Sequence, residues 1–319
     1  MDISKYFQEA SKKDKPSSAS ATPSTPKRAD SPRRQGLQQA AQETLKVSAD
    51  LLQKLGTTAR AQTATKHTFR SLTFLNPAYC PAFQKPATIR VVNQDTFNAA
   101  ISLRSACAHD DNPFPAVVNF ANRSSPGGGF LNGAMAQEEA LCYRSSLHMS
   151  LDKKHYPLAS DWAEGLYTRY VLIMREDWAS GHKVMSNIPP ANLPVVSVMT
   201  VAAIRNPEVK TFQYTPQGSQ KQMKKSVFAD DRDRRLTKDK MRLVLRMAAY
   251  RKHRGIVLGA LGCGVFANPP EDVAYCWLEV LQEHEFQGNW WRDVVFAVFD
   301  PKNEGNYEIL RDILHGKEV

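Results

Sequence analysis

Residues 117–147, VVNFANRSSPGGGFLNGAMAQEEALCYRSSL, limit what this chain can fold into more than any other stretch. A β-branched apolar run leads into Asn119 and Asn122. Three consecutive glycines follow, Gly127, Gly128 and Gly129, and a helix start then delivers Gln137, Glu138 and Glu139 side by side. Glycine is needed where backbone approaches another group closely or takes positive φ, and a loop between a strand's carboxyl end and a helix turns several N–H groups toward a phosphate. Strand, phosphate-wrapping loop and acid-bearing helix together mark a candidate active site. By itself a triple glycine also fits a flexible connection, and a second loop narrows the reading. Residues 258–266, LGALGCGVF, again run from a buried strand through Gly262 and Gly264 toward a helix. Two such loops in one sheet suit a diphosphate held between them. Neither has the G-x-G-x-x-G spacing or a Walker lysine, which disfavours a dinucleotide dehydrogenase or a P-loop nucleotidase.

Around this stretch, strands and helices alternate. Strands are expected at 88–93, 116–120, 170–174, 195–200, 255–260 and 294–299. Helices are expected at 95–107, capped by Asp95, and at 134–149, 236–253, 270–282 and 306–314. This alternation implies an α/β fold with a mainly parallel sheet covered on both faces. Before it, the apolar residues of 37–55 fall within an arc of about 140° at helical spacing, which predicts an amphipathic helix closed by Gly56. Residues 57–85, with Pro77 and Pro81, read as an irregular lead-in, and the charged stretch 209–235 as a long surface loop.

Residues 1–36 are rich in Ser, Thr, Pro and Lys, carry eight Lys/Arg against four Asp/Glu, and read as a disordered basic tail. Residues 37–319 form the folded part, with 37–87 an accessory helical segment. Within the tail, Ile3, Tyr6 and Phe7 have the spacing of a sliding-clamp-binding peptide, without the glutamine that usually precedes it. Lys12, Lys13 and Lys15, then Lys27, Arg28, Arg33 and Arg34, are spaced like a bipartite import signal, so a nuclear or cytoplasmic location is expected. The N-terminus has no apolar core of a secretory signal and no apolar run reaches membrane-spanning length, so no membrane partner is expected. The net charge of +10 favours polyanionic partners. Five scattered cysteines without a C-x-x-C pair suit free thiols rather than a disulfide framework or zinc site. Trp290 and Trp291 read as core or rim packing, and Cys263 as a small residue fitting a tight loop.

Adjacent helical residues diverge by about 100°, so Glu138 and Glu139 cannot flank a bond as the carboxylates of an ordinary glycosidase do. One performs the chemistry and the other fixes the substrate. The glycine triplet, a seven-residue spacer and Gln137-Glu138-Glu139, with Asn119-Phe120-Ala121-Asn122 before them, resemble the signature of the microbial-type poly(ADP-ribose) glycohydrolases, a branch of the macrodomain superfamily. Residues 195–205, 241–249, 259–269 and 294–300 are similar to that family in order and spacing; Arg205 departs from it, standing where a smaller polar residue is expected. The resemblance implies a macrodomain-like three-layer fold, a mixed, mostly parallel sheet flanked by helices, with an N-terminal helical extension. It implies exo-acting cleavage of ribose–ribose bonds in poly(ADP-ribose), releasing ADP-ribose, without cofactor or metal, in reversal of ADP-ribosylation and the DNA damage response. It assigns the acid/base to Glu139 and the ribose-hydroxyl contact to Glu138, with Gln137 in support. Asn122 would orient the distal ribose, Gly127 to Gly129 line that ribose and the phosphates, Gly262, Cys263, Gly264 and Val265 cradle the diphosphate, and Phe266 cap the ribose or stack nearby. A non-catalytic ADP-ribose reader, and a hydrolase of mono-ADP-ribose on protein or nucleic acid, use the same pocket.

Overall fold

The computed structural model describes residues 31–56, 63–110, 112–214 and 223–319. The clamp-type peptide and the cations from Lys12 to Arg28 lie outside the described residues. In chain order the elements are α1 (Pro32–Leu55), β1 (Thr65–Thr68), β2 (Ile89–Val92), α2 (Thr96–Cys107), β3 (Ala116–Phe120), α3 (Gln137–Arg144), β4 (Glu164–Leu172) and β5 (Val195–Val201). They continue with β6 (Val209–Tyr214), β7 (Met223–Phe228), α4 (Asp231–Tyr250), β8 (Gly255–Leu258), α5 (Pro270–Leu281), β9 (Asp293–Ala297) and α6 (Asn306–Leu314). Among the described residues, no helix is long and apolar enough to cross a membrane.

Seven strands form one sheet in the order β1-β4-β5-β3-β8-β9-β2. The five from β5 to β2 are parallel, while β4 runs antiparallel to β5 and β1 antiparallel to β4. Successive side chains point to opposite faces of a strand. Val118, Ile256, Leu258, Val294 and Phe296 therefore enter one core with Met241, Trp277 and Leu310 of the helices. Val117, Val257 and Val295 enter the other with Leu37 and Leu45 of α1, Phe97 of α2 and Leu141 of α3. Each large apolar side chain buried this way contributes ~1.5–3 kcal/mol. Burial on both faces is why these strands read as unbroken apolar runs. Trp290 and Trp291 are buried in the first core, as expected.

Several boundaries differ from expectation. Helix α1 starts at Pro32 rather than 37, because Ser31 caps it by accepting the Arg34 N–H and proline suits a first helical turn. The expected lead-in at 57–85 contains β1, whose residues are polar and half to fully exposed because it is an edge strand. The helix expected over 134–149 is confined to Gln137–Arg144. Ser145 turns extended and bridges to Ile173, and its hydroxyl caps the Leu141 carbonyl at 2.7 Å. The expected loop at 209–235 is instead the β6–β7 hairpin, a separate two-stranded sheet, followed by the start of α4. Lys210, Thr211, Phe212 and Gln213 are all exposed, so neither face carries the alternation that marks a half-buried strand. Asp230 caps α4 through the Arg232 N–H, so the helix starts at Asp231, five residues ahead of the apolar pattern that begins at Leu236.

Candidate active site

The site forms where β3 ends and α3 begins. Gln137 clips the two together: its Oε1 accepts the Phe120 N–H at 2.9 Å, and its Nε2 donates to the Val118 carbonyl at 2.8 Å and to Thr96 Oγ1 at 3.2 Å. The side-chain amide thus stands in for a neighbouring strand at the last residues of β3. With α3 held there, Glu138 and Glu139 turn back onto the loop they follow. Glu138 Oε2 accepts the Asn122 N–H at 2.7 Å, and its Oε1 accepts the Gly127 N–H at 3.2 Å and Asn119 Nδ2 at 3.4 Å. Glu139 Oε1 accepts the Gly129 N–H at 2.7 Å, and its Oε2 accepts the N–H of Ala136 at 2.9 Å.

The glycines are a steric requirement of this packing. Gly127 and Gly128 have φ of +70° and +58°, and a Cβ on Gly128 would stand 2.3 Å from Glu139 Oε1 and 3.1 Å from Glu138 Oε2. A Cβ on Gly129 would lie 2.6 Å from Ala134 Cβ. Beneath Gly127 lies His148, whose burial pulls its pKa down to about 4, leaving a neutral ring there. Glu138 is 2 % exposed and Glu139 7 %. Burial raises the Glu138 pKa to about 8; the donors from Asn122, Asn119 and Gly127 pull it down, and the Glu139 charge adds to the rise.

A cleft of about 410 Å³ opens beside α3. Gln137, Ala136 and Ala140 form one wall, Gly262, Gly264, Val265 and Phe266 another, and Ala297 to Phe299 the floor beyond β9. The second glycine loop is drawn toward the end of β5: Asn268 Nδ2 donates to the carbonyls of Ile204 at 2.6 Å, Gly262 at 3.2 Å and Phe266 at 3.1 Å. Gly262 has φ of +76°, and a Cβ there would meet Asn268 Nδ2 at 2.5 Å and Ala203 Cβ at 2.6 Å. Gly264 differs, since a Cβ there meets nothing within 4 Å. Val265 is 75 % exposed at the rim. Burial pushes the Cys263 thiol well up, which agrees with a small packing residue rather than a reactive thiolate.

The expected residues therefore come together, though in two layers. Gln137, Gly262, Gly264, Val265 and Phe266 line the cleft; Glu138, Glu139 and the first glycine loop adjoin it through α3. Asn122 spends its side chain on a turn, Oδ1 accepting the N–H groups of Ser124 at 2.9 Å and Ser125 at 3.0 Å, and offers Glu138 its backbone. Arg205 is exposed. The sequence reading missed Asp95, Thr96, Trp178, Phe299, Glu304 and Asn306, which also line the cleft. Asp95, Thr96 and Phe299 follow the carboxyl ends of β2 and β9, where ligands collect in open α/β sheets, and that position was the available signal. Among the described residues no three His, Cys, Asp or Glu side chains are grouped to hold a metal ion.

Residues 36–174 match the family model described as microbial-type PARG, catalytic domain. The likeness expected from the QEE signature is borne out. The PARG of Thermomonospora curvata, a poly(ADP-ribose) glycohydrolase, is 25% identical with a TM-score of 0.65, over 88% of this chain and 99% of that one. The same enzyme bound to the inhibitor ADP-HPD superposes with a TM-score of 0.64 at 25% identity and the same coverage. A Deinococcus radiodurans PARG in complex with ADP-ribose is 27% identical with a TM-score of 0.61, over 81% of this chain and 96% of that one. Comparison with curated protein sequences finds no match. The α/β macrodomain-like architecture is that of these PARG structures, and their coverage extends well beyond the segment matched by the family model.

Proposed function

We propose that this chain is a poly(ADP-ribose) glycohydrolase, a glycosidase that releases ADP-ribose from the end of the polymer. The observation that carries the reading is the pair of carboxylates on α3, both turned onto a glycine loop that continues from β3 beside a cleft of mononucleotide scale. A reader of ADP-ribose needs the phosphate-binding loops but no buried acid. Glu139 serves as acid/base: its carboxylic proton passes to the leaving ribose oxygen as the bond to the anomeric carbon breaks, and the carboxylate then takes a proton from the water that attacks the oxocarbenium-like carbon. Glu138 accepts hydrogen bonds from ribose hydroxyls and holds the sugar in reach. The glycine loop and the Asn122 turn shape the distal-ribose site. Gly262 to Val265 run along the diphosphate, and Phe266 closes over the ribose.

The test is incubation of wild type and Glu139→Gln with labelled poly(ADP-ribose) and with a mono-ADP-ribosylated protein. Wild type releases ADP-ribose from the polymer, and the variant binds polymer while cutting at least about 100-fold more slowly. Binding by wild type without cleavage of either substrate would make the chain a reader. Action in the DNA damage response and a nuclear or cytoplasmic location are part of the proposal, supported by the spaced cations from Lys12 to Arg34; a fluorescent fusion with and without them tests it. Ile3, Tyr6 and Phe7 support a sliding clamp as a second partner, testable by co-purification with their triple alanine variant as control.

A further inference from the structure

The sheet order places the two glycine loops on one side of the site and β5, β4 and β1 on the other. The diphosphate loop follows β8 on one side of β3, and β5, β4 and β1 lie on the other. With the diphosphate along the loop after β8 and the distal ribose at the loop after β3, as in the glycohydrolase reading, a second unit joined to the anomeric carbon would extend toward β5 and β4. Since β4 is antiparallel to β5, with Gly165 opposite Val201, the leading end of β4 lies on the same sheet edge as the site. Thr68, at the end of β1, faces Glu164 on that edge.

An exposed aromatic ring waits there. Trp162 is 55 % exposed, yet its Nε1 donates to Glu164 Oε2 at 3.3 Å, so the ring is held without being covered. The buried Glu164 also accepts the Ala159 N–H at 2.6 Å and pairs with Lys66 Nζ at 3.0 Å. Arg123, next to Asn122 of the site, joins this segment: its Nη1 donates to the Leu158 carbonyl at 3.0 Å, and the Leu158 N–H returns to the Arg123 carbonyl at 2.8 Å. Lys240 reaches the Trp162 carbonyl at 3.5 Å. Lys240 is buried, so the cations that can reach a ligand here are Arg123, which is exposed, the partly exposed Lys66, and Arg205, exposed just beyond β5 on this edge, beside the carboxylates of Glu164 and Asp161. A pinned, exposed ring with cations beside it suits a nucleotide, because the base stacks on the ring and the phosphates meet the charges.

We propose that Trp162 is the stacking platform for the adenine of the penultimate ADP-ribose unit, with Arg123 and Lys66 beside that unit's diphosphate. The proposal rests on the glycohydrolase reading and gives that site a second nucleotide subsite, outside the cleft. It predicts that the ADP-ribose dimer binds more tightly than ADP-ribose itself, and that Trp162 carries the difference.

Titration calorimetry of the dimer and of ADP-ribose into Glu139→Gln protein, alone and combined with Trp162→Ala or Trp162→Phe, tests it. Trp162→Ala weakens the dimer about tenfold and leaves ADP-ribose unchanged, while Trp162→Phe keeps most of the dimer affinity, as expected for one stacked base. Equal weakening of both ligands would reduce Trp162 to a structural prop of the loop and overturn the proposal. So would a dimer that binds no better than ADP-ribose before any change at Trp162. If the wild-type chain hydrolyses nothing but the Trp162-dependent preference for the dimer persists, the enzymatic reading falls and the subsite stands.

Discussion

Glu138 and Asn122 are joined backbone to carboxylate at 2.7 Å, so the acid-bearing helix and the loop that leaves β3 are fixed to each other. Burial raises the Glu138 pKa from 4.5 to about 8 despite this bond. A carboxyl whose folded pKa is raised binds its proton more tightly in the folded state. Its contribution to stability is fully present below about pH 4.5 and is lost as pH rises through about 8. Urea midpoints should therefore fall between about pH 5 and 8 more steeply for wild type than for Glu138→Gln, by at most about 1.4 kcal/mol per pH unit. Parallel profiles for the two proteins would show that Glu138 does not titrate in this range.

The two glycine loops separate a folding requirement from a binding one. Gly128→Ala puts a methyl against Glu139 at positive φ and should cost ~1–3 kcal/mol along with polymer cleavage. Gly264→Ala has open space, so its unfolding curve should match wild type within about 0.5 kcal/mol. If the diphosphate runs along that backbone, the new methyl takes its place and ADP-ribose affinity falls at least about tenfold. Normal affinity in a normally folded Gly264→Ala protein would place the diphosphate elsewhere.

Gln137 is expected to matter as a clip rather than as a reactive group. Gln137→Leu removes the partners of the Phe120 N–H and the Val118 carbonyl together, a loss of ~1–3 kcal/mol in thermal or urea unfolding. Gln137→Glu keeps the acceptor for Phe120 but sets an oxygen against the Val118 carbonyl, so it should not restore stability. Rescue by glutamate would mean that only the bond to Phe120 counts.

The N-terminal helix braces the first glycine loop and α3. Arg34 Nε donates to the Asn132 carbonyl at 2.7 Å, and Thr44 Oγ1 donates to the Tyr143 carbonyl at 2.8 Å in α3. Leu37→Ala, in the core behind α3, should cost ~2–5 kcal/mol. Arg34→Ala is exposed and should cost under about 1 kcal/mol while lowering the cleavage rate, because it loosens the turn after Gly129. An unchanged rate for Arg34→Ala would show that the loop holds itself.

Much of this was legible because the chemistry is consecutive in the chain. The signature strand appears at Ala116–Phe120 and the last helix at Asn306–Leu314, as the apolar runs predict. The Glu138 and Glu139 carboxylates do meet the glycine loop they follow. Strand β4 was legible only in its second half because its first half buries polar groups in pairs: Tyr167 with His253 at 2.8 Å, Thr168 with Ser150 at 3.0 Å, and Glu164 with Ala159. Periodicity counts apolar residues and passes over a satisfied polar core. Asp95 was legible as a helix cap, which it is, donated to by the Phe97 and Asn98 N–H groups. Its place in the cleft with Trp178, Phe299 and Asn306 depends on strand order, which a single sequence does not spell out.

The reversal of β4 has a consequence for how such a protein changes over time. The chain reaches the site edge by leaving β3, β5, β8 and β9, but by entering β4. The segment that leads into β4 is joined to the site loop through the Arg123–Leu158 hydrogen bonds and through the packing of Leu158 in the core behind α3, and it lies outside the Gln137 clip. On the proposed reading, lengthening or rewriting it would alter which units beyond the scissile bond are accepted, while the Glu138 and Glu139 carboxylates keep their geometry. Reaction and preference are thereby open to selection separately.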